Sequence, residues 1–217
     1  MKLPGSRFSR YFLVAWVALV AFGAGVYLAR SGAPNVSEPE IQGFLWPDPP
    51  LLGAFTLQAA NGGELNERNL RGKWTLLFFG FTHCPDVCPT TLSTLKSVRV
   101  ALHDLPEFDQ HAQVLFVSVD PARDTPAALQ AYVSYFDPTF IAATAAPEVL
   151  NSLTRQLGIL YVKVPTQDPA VYTFDHTASV LLVAPDLRLL GVFSPPHAAQ
   201  DLADRIRGIV QFIDEPP

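Results

Sequence analysis

The stretch FFGFTHCPDVCP, residues 78–89, is central to the fold because it joins an apolar, strand-like run to a helix-like run. It also contains both cysteines of the chain, Cys84 and Cys88. Reactive groups of α/β folds commonly lie where a strand leads into a helix. Because proline is tolerated only in the first turn of a helix, Pro89 places the helix start just before it, with Asp86 as the N-cap. This predicts Cys84 in the loop and Cys88 in the first helical turn, where the helix dipole favours a thiolate.

Three roles are open to the cysteine pair: a structural disulfide, a redox couple or two metal ligands. A disulfide that closes so short a loop would stabilise the fold by only about 2 kcal/mol, which makes it a weak staple. The spacing Cys-x-x-x-Cys has one residue more than the Cys-x-x-Cys of thioredoxin-like redox proteins, and this favours two ligands around one ion. A disulfide stays open as an alternative because Cys84 is not held in the helix.

The composition predicts one globular domain plus an additional N-terminal segment. The chain has 217 residues, a formal net charge of −5 and 49% hydrophobic residues, and nothing in it indicates nucleic-acid binding. The additional segment is the uncharged run 11–29, which is long enough to span a bilayer. A cleaved signal peptide is the alternative, because residues 23–25 resemble a cleavage site.

The charges around this run predict its orientation. Basic residues are concentrated in the leader 1–10, which is therefore expected to stay in the cytoplasm while the rest is exported. The leader is too short for a mitochondrial presequence, so we expect a single-pass protein of the bacterial inner membrane with a periplasmic domain. Residues 30–50 are predicted to be a proline-rich, extended linker. Residues 51–217 are predicted to form the folded domain.

Hydrophobic patterning predicts the elements of this domain. Strands are expected in a hairpin at 54–65, at 74–81, 114–119 and 160–164, and in a second hairpin at 178–183 and 187–193. The helix that follows Asp86 continues with helical spacing over 91–102, and further helices are expected at 126–136, 146–157 and 198–212. Strand 74–81 is apolar on both faces, which is typical of the middle of a parallel sheet. The order predicts an α/β fold, a thioredoxin-like sandwich with a central mixed sheet, helices on both faces and an antiparallel hairpin at one side.

One of the five histidines is the best candidate for a third ligand. His176 directly precedes an apolar strand, at the place where a thioredoxin has a cis-proline beside its dithiol. An imidazole there would face the two sulfurs, and Asp175 is expected to orient the ring. His83 adjoins the first cysteine but precedes the turn and can point away. The remaining histidines are expected at the surface: His103, His111 and His197.

Two thiolates and one imidazole without an obvious fourth ligand suit Cu(I), a soft ion that accepts three ligands. Copper also outranks zinc at such ligands in the divalent state. A structural zinc site would need a fourth donor. The alternative for His176 is a hydrogen-bonded residue that caps a strand.

Three motifs resemble the Sco/SenC family in order and spacing: GFTHCPDVCPTTL (80–92), SVDPARDTP (118–126) and DHT (175–177). The similarity runs from about residue 52 to the C-terminal helix. The resemblance implies a membrane-anchored copper protein of thioredoxin fold that serves assembly of the binuclear copper centre of cytochrome c oxidase. The implied partners are the copper-bearing oxidase subunit and a periplasmic copper carrier or thiol reductant.

Carried over by position, the resemblance implies that Cys84, Cys88 and His176 bind Cu(I) or Cu(II), with Asp120 as a supporting residue. The expected function is that of a copper chaperone and not of an enzyme. A thiol:disulfide reductase that keeps oxidase cysteines reduced is the alternative, with Cys84 and Cys88 as its redox pair and no need for His176. A thiol peroxidase with Cys84 as nucleophile also stays open, because residues 81–85 resemble a peroxidatic cysteine loop.

Overall fold

A computed structural model describes residues 11, 15–25, 48–167 and 171–214. The chain divides into two compact units, Met1–Glu40 and Ile41–Pro217. In the first unit, residues 15–25 are helical (α1). Among the described residues, no helix is both long and apolar enough to cross a bilayer. The predicted leader 1–10, part of the predicted span 11–29 and most of the predicted linker 30–50 lie outside the described residues.

The described part of the second unit contains nine strands and six helices. The strands are β1 (Thr56–Ala59), β2 (Glu64–Asn66), β3 (Trp74–Gly80), β4 (Ala112–Ser118), β5 (Ile141–Thr144), β6 (Tyr161–Pro165), β7 (Tyr172–His176), β8 (Val180–Val183) and β9 (Leu189–Phe193). The helices are α2 (Glu67–Leu70), α3 (Val87–Ala101), α4 (Pro106–Asp109), α5 (Pro126–Phe136), α6 (Pro147–Gln156) and α7 (Ala199–Asp214).

Seven strands form one mixed sheet in the order β2-β1-β5-β4-β3-β8-β9. Strands β3, β4 and β5 are parallel, whereas β1, β2, β8 and β9 pair antiparallel with their neighbours. Every residue of β3 is buried, as its two-sided apolar pattern predicts. Strands β6 and β7 pair with each other in a separate two-stranded sheet, which we call the β6–β7 ribbon.

The two faces of the sheet are covered by different helices. Side chains alternate along β3, so Leu76 and Phe78 belong to one core and Leu77 and Phe79 to the other. Helices α3, α5 and α7 bury their apolar residues in the first core, and α6 buries its own in the second. The predicted α/β sandwich, with a mixed sheet and helices on both faces, is confirmed.

Patterning did not predict strands β5 and β7. Strand β5 has only four residues, and β7 is partly exposed and polar at its end, so neither has a clear hydrophobic period. The strands that pair with β5 lie far away in sequence, whereas β6, the partner of β7, comes shortly before it in the chain. The strand predicted at 160–164 is β6, and it pairs with the unpredicted β7 and not with the main sheet.

Candidate metal centre

The candidate ligands meet at the carboxyl end of β3. This strand ends at Gly80, and a short loop leads to α3, which begins at Val87. Asp86 occupies the N-cap position, as predicted. Cys84 therefore lies in the loop and Cys88 in the first turn of the helix, also as predicted.

Cys88 is fully buried against Gly80, whereas Cys84 is only half-buried. A Cβ atom on residue 80 would lie 2.7 Å from Sγ of Cys88 and 2.9 Å from the ring of Phe116. Both distances are shorter than a non-bonded contact allows. The absence of a side chain at residue 80 is therefore what lets the second sulfur lie directly above the end of the strand.

We expect Gly80→Ala to destabilise the protein by about 1–3 kcal/mol, the usual cost of overpacking a core. The free energy of unfolding, measured by urea denaturation of the reduced protein, checks this. Gly63→Ala is the matched control, because the nearest atom to a Cβ there is a side-chain oxygen of Asn61 at 3.5 Å. Equal stability of the two variants would contradict the close approach of Cys88.

The imidazole of His176 completes the cluster from the other side. Its Nε2 lies 3.4 Å from Sγ of Cys88, and its Nδ1 lies 3.1 Å from the carbonyl oxygen of Thr177. A carbonyl can only accept, so the tautomer that carries its proton on Nδ1 donates to Thr177 and directs the Nε2 lone pair towards the sulfurs, as a metal ligand requires. The rings of Phe78 and Phe81 contact the imidazole edge-on, with centroids 6.2 and 5.9 Å away.

Sγ of Cys84, Sγ of Cys88 and a ring nitrogen of His176 lie within 4.8 Å of one another. Metal–sulfur distances of about 2.3 Å and metal–nitrogen distances of about 2.0 Å keep the donors of one ion roughly 3.5–4 Å apart. The three atoms therefore need only small shifts to hold one ion. Within the described part of the chain, this is the group of histidine, cysteine and acidic side chains that meets such a distance limit.

The two thiols differ in proton affinity. A hydrogen bond from the Cys88 thiol lowers the pKa of Cys84 to about 4, and the same bond together with burial raises the pKa of Cys88. These opposite directions favour the thiolate at Cys84 and the thiol at Cys88. At Cys88 the hydrogen bond to Cys84 and burial therefore oppose the thiolate that the helix dipole is predicted to favour.

His83 lies outside the cluster. Its side chain is exposed, and its Nδ1 is 3.0 Å from Oγ1 of Thr82 and 3.7 Å from a carboxylate oxygen of Asp124. His103 and His111 are exposed, as predicted. The prediction of a surface position was wrong for His197, which is half-buried with Nε2 2.9 Å from the carbonyl oxygen of Ala178.

Asp175 does not have the orienting role predicted for it. Adjacent residues of a strand point to opposite faces, and Asp175 is exposed, paired across the ribbon with Val162. The carbonyl of Thr177 holds the His176 ring instead. A backbone carbonyl has no signature in the sequence, so patterning had no means to identify it.

Asp120 is buried and supports the strand that carries His176. Its carboxylate accepts a hydrogen bond of 2.8 Å from the hydroxyl of Tyr172 and pairs with Nε of Arg123. Nη1 of Arg123 donates to the carbonyl of Tyr172 at 3.0 Å, and its guanidinium lies 3.7 Å from the centre of that ring. The roles of Arg123 and Tyr172 were not predicted.

Asp124 is a further buried acid whose role was not predicted. Its carboxylate accepts hydrogen bonds from the backbone N–H of Thr82 at 2.9 Å, from the Thr82 hydroxyl at 2.5 Å and from the Ser118 hydroxyl at 2.5 Å. Thr82 lies two residues before Cys84. Asp124 therefore holds the loop that presents the first sulfur.

The comparisons with known proteins agree in one family. The SCO1/SenC family model matches residues 47–211. The mitochondrial SCO1 homolog 1 of Arabidopsis thaliana is 35% identical over 161 residues, which are 74% of this chain and 46% of that protein. A putative copper-binding protein of Stutzerimonas stutzeri is 39% identical over 137 residues, 63% of this chain and 65% of that protein.

Among solved structures, the crystal structure of Arabidopsis thaliana ScoI with copper bound is 33% identical and has a TM-score of 0.69. The match covers 75% of this chain and 99% of that one. The chain spans about half to two thirds of the length of the two curated relatives. Because the family model covers well over half of the chain, this protein belongs to the SCO1/SenC family.

Proposed function

We propose that this protein binds one copper ion with Cys84, Cys88 and His176 and serves assembly of cytochrome c oxidase. The observation that carries the proposal is the convergence of two sulfurs and one ring nitrogen within 4.8 Å. These are soft to borderline donors, and three of them suit Cu(I), although the same set also binds Cu(II). The copper-bound relative supports the metal, and the description of the Sco family as cytochrome c oxidase assembly proteins supports the process.

Copper is the cargo in this proposal, and the binuclear copper centre of the oxidase subunit is its destination. Cys84 is ready to bind as a thiolate, and Cys88 must release its proton when its sulfur becomes a ligand. Cys84 is half-buried whereas Cys88 is fully buried, so a ligand of the partner reaches the cargo from the Cys84 side.

We further propose that residues 11–29 anchor the protein in the bacterial inner membrane. Nineteen residues without a charge, bounded by Arg10 and Arg30, support a span with a cytoplasmic leader at 1–10. The linker 30–50 and the domain 51–217 then lie in the periplasm. A copper carrier would supply the cargo there, and a thiol reductant would keep the two cysteines reduced.

Copper stoichiometry tests the ligand proposal. The full chain, kept in detergent, is reduced without air, loaded with Cu(I), washed and measured by atomic absorption. We expect one copper per chain, and almost none in Cys84→Ala/Cys88→Ala. Equal copper in the wild type and the double variant would overturn the proposal.

A thiol:disulfide reductase is the second candidate, favoured by the half-buried Cys84 thiolate beside a free Cys88 thiol. In that reaction the Cys84 thiolate attacks a disulfide of the oxidase subunit. A mixed disulfide forms, and the first cysteine of the oxidase subunit leaves as a thiolate. Cys88 then displaces the second thiolate, so that two electrons pass to the substrate and a Cys84–Cys88 disulfide remains. Turnover with a dithiol reductant that is unchanged in His176→Ala would support this reaction over copper delivery.

A further inference from the structure

His176 is joined to β8 of the main sheet by three residues, 177–179, but does not itself pair in that sheet. His176 is the last residue of β7, and in the described part of the chain β7 pairs only with β6. The seven-stranded sheet therefore positions the two sulfurs through β3 and α3, whereas the imidazole arrives on a separate ribbon. Besides its connection to β8 through residues 177–179, the ribbon is held against the body of the domain by side-chain contacts.

The contacts at the start of β7 converge on Tyr172. Its ring lies beneath the guanidinium of Arg123, its hydroxyl donates to Asp120, and its carbonyl accepts from Nη1 of Arg123. Residues two apart on a strand share a face, so Tyr172, Phe174 and His176 all face the domain. Phe174 packs edge-on against Phe81 at 5.5 Å, an apolar contact that permits sliding, while the contacts of Arg123 are directional.

The same turn also holds the other half of the centre. Residues 120–124 follow β4 and contain both Arg123 and Asp124. Asp124 accepts two hydrogen bonds from Thr82, two residues before Cys84. One five-residue turn is therefore connected by hydrogen bonds to the loop that carries a sulfur and to the strand that carries the imidazole.

We propose that Arg123 is a positioning residue that sets the distance between His176 and the two sulfurs. Its planar guanidinium binds Asp120 through Nε, the Tyr172 carbonyl through Nη1 and the Tyr172 ring through its face. A lysine ammonium keeps the ion pair with Asp120 but cannot make the other two contacts at once. The copper measurement below rests on the proposed function, and the measurement without copper does not.

Three variants separate positioning from simple stability. Asp120→Asn/Arg123→Met removes both charges together, so that no unpaired buried charge is left to unfold the domain. Arg123→Lys keeps the ion pair and tests the directional contacts alone. Lys163→Met is the matched control, because Nζ of Lys163 also lies over the Tyr172 ring, at 3.6 Å, but Lys163 belongs to the ribbon itself.

The first measurement is made on the reduced, copper-free full chain in detergent, with isotope-labelled histidine and phenylalanine. The nuclear Overhauser effect between the rings of His176 and Phe81 reports their 5.9 Å separation. We expect this signal to be lost in Asp120→Asn/Arg123→Met, strongly reduced in Arg123→Lys and unchanged in Lys163→Met. A ring signal of wild-type strength in Asp120→Asn/Arg123→Met would overturn the proposal. A signal of wild-type strength in Arg123→Lys would also overturn it, because lysine cannot make the directional contacts.

The second measurement is Cu(I) retention against a competing chelator. We expect Asp120→Asn/Arg123→Met to lose about 10- to 100-fold, the usual effect of a residue that orients a ligand. Adding His176→Ala to this variant should cause no further loss beyond that of His176→Ala alone. A wild type that retains no copper while the ring signal still depends on Arg123 would end the proposed function but keep the positioning role. If Asp120→Asn/Arg123→Met keeps both the copper and the ring signal of the wild type, the positioning role is wrong while the proposed function stands.

Discussion

Replacing His176 by alanine is expected to weaken copper retention by more than about 100-fold, whereas His83→Ala should change it by less than about 2-fold. His176 directs Nε2 at the sulfur of Cys88, and its Nδ1 lies within hydrogen-bond distance of the carbonyl of Thr177. Its loss leaves two sulfurs to hold the ion. His83 is closer to Cys84 in sequence, but its exposed ring faces Thr82 and Asp124.

The measurement is the fraction of Cu(I) that each full-length variant keeps in a titration with a Cu(I) chelator, under reducing conditions. His83→Ala is the matched control, since it removes an imidazole from the same loop without touching the cluster. Thermal unfolding of the copper-free variants shows whether either substitution disturbs the fold. Equal losses in the two variants would contradict the assignment of His176 as the third ligand.

Asp124→Ala is expected to destabilise the reduced, copper-free protein by about 3–5 kcal/mol. The carboxylate is fully buried and accepts three hydrogen bonds, two from Thr82 and one from Ser118. Alanine leaves those donors in the interior without an acceptor, and each such group costs about 1–3 kcal/mol. The effect is far larger than that of a typical surface substitution.

Two further variants make this prediction specific. Asp124→Asn should cost less than Asp124→Ala, because an amide NH₂ at the Oδ1 position can donate to the Thr82 hydroxyl while the other oxygen still accepts. Asp186→Ala is the control: this exposed carboxylate also accepts two hydrogen bonds, both from Arg188, and its loss should cost less than about 1 kcal/mol. Urea unfolding gives all three values. A loss at Asp124 no larger than that at Asp186 would show that the buried network is not needed for the fold.

Local sequence patterns were sufficient for much of the fold and for the choice of candidate ligands. The two-sided apolar run at 74–81 predicted a central strand, and Pro89 predicted the start of the next helix to within its first turn. Both depend on interactions between residues close in sequence, namely side-chain alternation and the backbone geometry of proline. The motifs around Cys84, Cys88 and His176 predicted the cluster because their order and spacing resemble a family.

Long-range packing determined the features that patterning missed. The thiolate is favoured on Cys84 because Cys88 donates a hydrogen bond to it and is itself buried against the end of β3. The His176 ring is held by a backbone carbonyl because strand alternation turns Asp175 to solvent. Asp124 and Arg123 act on residues more than 40 positions away, Thr82 and Tyr172. Burial, register and such distant hydrogen bonds exist only after the chain has folded, which is why the ligand types follow from local sequence but their protonation and orientation do not.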